Sequence, residues 1–208
     1  MRNILVGVKG SDGLRDEELV SYIIKGKTEL FSVIIDRYQS KVFSTVYNYT
    51  HDHEEARDLT QEIFIKLYNN LQSYKNKASF STWLYRIAVN RCIDWTRKKR
   101  LQTVSAFYDS GDEETDIYDT IADRVGGPEE ALIKQENKVY IRKVVEELPE
   151  IYKTVIILYY FEDFSPQEIS DIIDVPKRTV ETRLYRGKNL LKLRLEELVC
   201  GGEINVLQ

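Results

Sequence analysis

Between residues 16 and 100 the apolar side chains recur every third or fourth position, and no stretch of useful length alternates apolar with polar. That period commits one face of each segment to a core, so this part of the chain reads as packed helices and not as a sheet. Leu19, Ile23 and Ile24 open the pattern; Phe31, Ile34, Ile35 and Tyr38 continue it; Val42, Phe43, Val46 and Tyr47 follow. Asp52 and Glu55 have capping-box spacing before the next helix, whose inner stripe is Ala56, Leu59, Ile63, Leu67 and Leu71. A polar stretch over 72–79 interrupts the period. Residues 80–95 resume it with Trp83, Leu84, Ile87, Ala88 and Arg91, and the segment ends in the basic run Arg97-Lys98-Lys99-Arg100.

The period lapses over 101–127, which is acidic, poor in large apolar residues and closed by Gly126-Gly127-Pro128, as a tether would be. A helix is predicted over 129–148 and another over 150–161. Ser165, Pro166 and Glu168 then supply an N-cap, an N1 proline and a capping-box acid. Ile169, Ile172 and Ile173 give that helix its apolar face, and Asp174-Val175-Pro176 stops it. A last helix turns Val180, Leu184, Leu191 and Leu195 inward. The expected fold is all-α: two small helical domains joined by a flexible acidic linker, the second containing a helix-turn-helix. The boundaries read as a tail over 1–15, a domain over 16–100, a linker over 101–137, a domain over 138–199 and a tail over 200–208.

Charge sharpens this division. The net charge of −4 hides +5 over residues 1–100, −8 over 101–137 and −1 over 138–208. No apolar run reaches the 18 or so residues that span a bilayer, and the hydrophobic stretch within the first ten residues is too short for a signal peptide, so no membrane insertion is expected. Cys92 and Cys200 make neither a disulfide framework nor a zinc site and suit a reducing cytoplasm. His51 and His53 beside Glu54 and Glu55 read as a polar turn. No phosphate-binding loop, dinucleotide motif or catalytic constellation is present, so no cofactor, small-molecule substrate or catalytic residue is expected.

In the final helix Lys177, Arg178, Thr179, Glu181, Thr182, Arg183 and Arg186 surround Val180 and Leu184. Such a helix can enter a major groove, with arginines on guanine edges or phosphates; a solvated helical hairpin is the alternative. The segment Glu147-Leu148-Pro149, the run from Tyr159 to Ser165 with Glu168-Ile169, and Pro176, Thr179-Val180, Thr182-Arg183-Leu184 and Arg186 closely resemble region 4 of bacterial RNA polymerase sigma factors. The run from Ala56 to Phe64 resembles region 2, and Phe80-Ser81-Thr82-Trp83-Leu84-Tyr85-Arg86-Ile87-Ala88 with Asn90 and Asp94 resembles the minus-ten segment of the extracytoplasmic-function subfamily. The resemblance covers about 16–100 and 138–197, in family order.

It implies a non-catalytic, cytoplasmic specificity subunit whose partners are core RNA polymerase, promoter DNA as duplex and as melted non-template strand, and a cognate anti-sigma factor. Asp58, Gln61, Glu62 and Ile65, off the apolar stripe, would dock on the polymerase. Tyr74, Lys75, Asn76, Lys77 and Phe80, with Asn90, Arg91, Arg97, Lys98, Lys99 and Arg100, would read and melt the minus-ten element. The final helix would read minus thirty-five, and the acidic linker would follow a basic channel of the polymerase. Phe80 could equally be core, and Trp83 reads as core rather than as a wedge. A helix-turn-helix regulator without polymerase, or a sigma-like adaptor, remain alternatives that need neither the docking face nor the polar loop.

Overall fold

The computed structural model describes residues 13–109 and 144–200, and among these no strand occurs. Helix α1 (Asp16–Ile24) opens with Asp16, Glu17 and Glu18 at its positive end, where carboxylates are favoured. A 3-10 turn (Thr28–Leu30) leads into α2 (Phe31–Thr50). His51, in the left-handed conformation at φ 53°, ends α2, and the Asp52 carboxylate caps α3 (His53–Asn70) by accepting Glu55 N–H at 2.8 Å. This short turn folds α3 back on α2, with Val42, Val46, Leu59, Ile63 and Leu67 all buried along the two helices.

Helix α4 (Phe80–Asp109) packs against both. It runs past residue 100, where the domain was expected to stop. Residues 101–109 contain neither glycine nor proline, so nothing local ends the helix. The acidic stretch over 110–137, the helix expected over 129–143, and the tails over 1–12 and 201–208 lie outside the described residues.

Residues 144–146 are helical and give way to Pro149. Helix α5 (Glu150–Tyr160), α6 (Pro166–Ile173) and α7 (Lys177–Cys200) follow. Ser165 closes the predicted box: its backbone N–H donates to Glu168 Oε2 at 2.9 Å, and its hydroxyl stands 3.3 Å from Glu168 N. Asp174, at φ 54°, ends α6, and Ser170 Oγ donates to Val175 O at 2.6 Å to tie the turn down before α7 begins. At Gly187 the α5–α7 crossing is close. A Cβ there would stand 3.1 Å from Ile156 Cγ1 and 3.3 Å from Tyr152 Cβ, so a side chain fits only if these neighbours give by a few tenths of an ångström.

The two halves are packed on each other. One core runs from Leu19 through Val46, Ile63, Phe80 and Leu84 to Leu148, Ile156 and Ile157. A second joins Tyr85 and Val89 of α4 to Val155, Leu158, Phe164, Ile169, Ile172 and Val180. Full burial of each such Leu, Ile or Phe is worth about 1.5–3 kcal/mol. Cys92 is fully buried in the first core, and burial pushes its thiol pKa up to about 12.

Candidate functional site

The polar break predicted over 72–79 is a 3-10 turn (Leu71–Ser73) followed by a loop. Tyr74 sits half-buried at its centre. Its hydroxyl donates to Ala78 O at 2.8 Å and lies 3.1 Å from Asn76 Oδ1. Asn76 adopts φ 55°, a left-handed conformation that asparagine tolerates better than most side chains. Lys75, Asn76 and Lys77 therefore project from a loop held by its own tyrosine, and all three are exposed.

Phe80, grouped with these residues on sequence, is placed differently: it is 0% exposed and has no surface to offer a base. Its ring is the hub of an aromatic cluster, 5.8 Å from Tyr38, 5.7 Å from Tyr74 and 5.9 Å from Trp83. Tyr38 in turn donates to Asp16 Oδ2 at 2.5 Å, and Arg37 reaches Asp16 Oδ1 at 2.7 Å. Burial, and then the Asp16 carboxylate, push the Tyr38 phenol pKa up. Tyr74 shifts the same way, first through burial and then through Glu17 and Asp16. Helix α1 thus braces the floor beneath the loop, a role that no local sequence signal announces.

Asn90 is exposed on α4, and so are Arg97, Lys98 and Arg100. Lys99 stands over the Trp95 ring at 4.7 Å and pairs with Glu55 at 3.3 Å. Arg91, expected on DNA, is held by Glu62, expected on polymerase, with Nε 2.8 Å from Oε2. The two surfaces therefore share an ion pair.

Asp58, Gln61, Glu62 and Ile65 are all exposed on α3, Ile65 to 62%. Gln61 and Ile65 form one wall of an open groove of about 960 Å³; Phe31, Ile35 and Phe43 of α2 and Phe64 and Tyr68 of α3 complete it. The Phe31 and Tyr68 rings meet edge to face at 4.9 Å. Sequence reasoning missed the α2 wall because Phe31, Ile35 and Phe43 match the core period; the partly exposed Phe31 and Ile35 sit on its edge. Asp58 and Glu62 stand outside the groove.

On α7, Lys177, Arg178, Glu181, Thr182 and Arg186 are exposed, Thr179 and Arg183 partly so, and Val180 is buried. Arg178, Thr179, Thr182, Arg183 and Arg186 line a hollow of about 430 Å³ with Pro176 and with Ile151 and Tyr152 of α5, which the sequence did not mark. Thr182 Oγ1 donates to Arg178 O at 2.8 Å. Lys177 and Glu181 lie off the hollow and pair along the helix at 3.8 Å. The result is a convex helix whose hollow carries three guanidinium groups. His51 lies 3.9 Å from Glu146 and His53 packs edge-on to Phe43 at 5.0 Å. Among the described residues no three His, Cys, Asp or Glu side chains are placed to hold a metal, and no helix is long and apolar enough to cross a membrane.

Known proteins share this organisation. Residues 34–102 match Sigma-70 region 2, and residues 138–191 match Sigma-70, region 4. The ECF RNA polymerase sigma factor SigW of Bacillus subtilis (strain 168) is 36% identical over 86% of this chain and 96% of its own. The ECF RNA polymerase sigma-E factor of Escherichia coli (strain K12) is 31% identical over 91% of this chain and 98% of its own. Among solved structures, the sigma factor RpoE of Bartonella quintana, in complex with the anti-sigma factor NepR, superposes with a TM-score of 0.60 at 20% identity, over 80% of this chain and 96% of that one. CnrH in complex with the cytosolic domain of CnrY gives 0.63 at 17%, over 88% and 97%. With both sigma regions in order along an all-helical chain, this protein belongs to the extracytoplasmic-function family of RNA polymerase sigma factors.

Proposed function

We propose that the chain is the non-catalytic, cytoplasmic specificity subunit of RNA polymerase, with each step assigned to one of the surfaces above. The α2–α3 groove and its rim, Asp58, Gln61, Glu62 and Ile65, dock on core polymerase. Arg178, Arg183 and Arg186 read the minus-thirty-five element from the major groove, with Thr179 and Thr182 on phosphates and Lys177 and Glu181 at the margin. Tyr74, Lys75, Asn76, Lys77 and Asn90 receive the melted minus-ten strand, and Arg91, Arg97, Lys98, Lys99 and Arg100 track its phosphates. A cognate anti-sigma factor covers these surfaces when the chain is held inactive. The first domain runs from 16 through α4 and the second takes in 138–199, and the acidic segment between them threads a basic channel.

The observation that carries the melting assignment is the braced loop. Extruding a base costs a few kcal/mol, and a pre-ordered acceptor returns that cost on binding because it loses little conformational freedom itself. Tyr74, anchored on Phe80 and Trp83 and tied to Ala78 O, is such an acceptor. Strand opening then draws on binding energy and needs no nucleotide hydrolysis by this chain. Core-polymerase pull-down followed by run-off transcription tests the whole reading. Retention on core and promoter-dependent transcript are expected; DNA binding without retention would instead describe a stand-alone helix-turn-helix regulator.

A further inference from the structure

We propose that the groove between α2 and α3 binds one medium-chain aliphatic carboxylate, its head at Arg57 and Thr60 and its tail toward Phe31 and Tyr68. Bound there, the acid excludes core polymerase. The observation that points to a head group is Thr60. It lines the groove, it is 4% exposed, and its hydroxyl has no hydrogen-bond partner among the described residues. A threonine inside a helix readily donates to the carbonyl four residues back. Thr45, Thr96 and Thr182 do so, onto Lys41, Cys92 and Arg178, at 3.0, 3.0 and 2.8 Å. Thr60 does not, and a buried hydroxyl left alone is costly until something pairs with it.

The groove places a cation beside that hydroxyl. Arg57 precedes Thr60 by one turn, so the two side chains share a face of α3. Arg57 is exposed, lines the groove, and makes no ion pair among the described residues. A carboxylate, ionised at neutral pH, can accept from the guanidinium and the Thr60 hydroxyl together. Beyond the head the walls are apolar: Phe43 and Phe64, then Ile35 and Ile65, then the edge-to-face pair of Phe31 and Tyr68. Glu29 stands at that far end and disfavours an anion there, which gives the groove a polarity. Arg57 and Tyr68 lie about 16 Å apart along α3. An extended chain advances roughly 3.5 Å for every three bonds, so a twelve-carbon acid fills that length. At about 960 Å³ the groove is at the upper end of small-molecule sites.

Gln61 and Ile65 form one wall of the groove and also belong to the proposed docking face. Acid and polymerase cannot hold that wall together, so the ligand acts as a competitive brake. The competition rests on the sigma-factor reading of the groove; the ligand site does not, and the experiment separates them.

The full-length chain is titrated by calorimetry with sodium octanoate, decanoate, dodecanoate and tetradecanoate, each below its micelle concentration. One molecule should bind per chain. Affinity should rise about twofold per methylene up to dodecanoate, as for half-buried chain, and level off at tetradecanoate, whose tail overruns Tyr68. Dodecanol should bind about tenfold more weakly than dodecanoate, and Arg57→Gln should erase that difference. Thr60→Val, which keeps the side chain's shape, should bind dodecanoate about fivefold more weakly. It should unfold in urea no more readily than the parent, since the hydroxyl it loses is unpaired. Absence of saturable one-to-one binding, affinity that keeps climbing with chain length, or unchanged affinity in both variants would overturn the site. Dodecanoate is last titrated against binding of the labelled chain to core polymerase. The parent should lose core affinity in proportion to occupancy of the site, and Arg57→Gln should be about tenfold less sensitive. If the acid binds as stated and core affinity does not move, the ligand site stands, the competition is overturned, and the groove is not the docking face.

Discussion

The two regions proposed to read DNA, at minus ten and at minus thirty-five, are built on opposite plans. The minus-ten side is a loop whose side chains rest on an interior: Tyr74 lies on Phe80 and Trp83, Phe80 on Tyr38, and Tyr38 on Asp16 of the first helix. The minus-thirty-five side is the bare face of a capped helix, where Arg178 and Arg186 project without a carboxylate partner in the hollow. The first plan suits an unpaired base, which needs a shaped and rigid seat. The second suits a duplex, whose groove is already shaped and needs only donors at the right spacing. Damage to the first should therefore register as lost fold and lost opening, and damage to the second as lost affinity alone.

The largest expected effect tests that contrast at its root. Phe80→Ala empties the hub of the aromatic cluster and should lower unfolding stability by about 3–5 kcal/mol, measured by urea denaturation. A change below about 1 kcal/mol would mean the loop does not rest on its interior. Next, Arg183→Ala should cost about 1–3 kcal/mol of promoter affinity in a binding titration, with stability unchanged. Relaxed preference at a single upstream position would mark a base contact; uniform weakening would mark a phosphate contact.

Asn90→Ala should leave stability and closed-complex affinity intact and reduce permanganate reactivity of the minus-ten strand. A pre-melted bubble template should restore part of the run-off transcript. Equal loss on duplex and bubble would remove Asn90 from the opening step. A smaller effect is expected from Glu62→Lys, which breaks the pair with Arg91. Its cost in stability should stay within about 1 kcal/mol, as for exposed ion pairs, while core-polymerase affinity falls. The smallest concerns acidity. Burial raises the Glu162 pKa in the folded chain, so its contribution to stability is complete below the ordinary carboxylate value and is lost as pH rises through the raised one. Lys41, Asp163, Thr45 and Tyr85 are the groups that act on it. Stability to urea should therefore fall as pH rises above the ordinary carboxylate range, and Glu162→Gln should flatten the profile.

Much of this was legible in the chain because its signals are local. The stripe Leu59, Ile63 and Leu67, the caps at Asp52 and Ser165, and the buried Val180 among exposed basic residues all follow from spacing within one or two turns. What escaped depends on partners far along the chain. Phe80 borders a polar loop, which on sequence groups it with base contacts, yet Tyr38, 42 residues earlier, packs against it. The groove wall from Phe31 to Phe43 hides inside an ordinary helical period. Glu162 follows three aromatic residues and precedes Asp163, where an acid normally points to solvent; only the arrival of Thr45 and Tyr85 from the other half gives it a place.

Cys92 gives the chain an internal clock. Burial holds its thiol far above the ordinary range, so it stays protonated at neutral pH, and the sulfur is sealed from solvent besides. A thiol reagent can then reach it only during the moments when the helices around it part. The rate of its modification, in excess reagent, reports how often that part of the interior opens under native conditions. The same seclusion keeps this sulfur out of the cell's oxidative chemistry for as long as the fold stays shut.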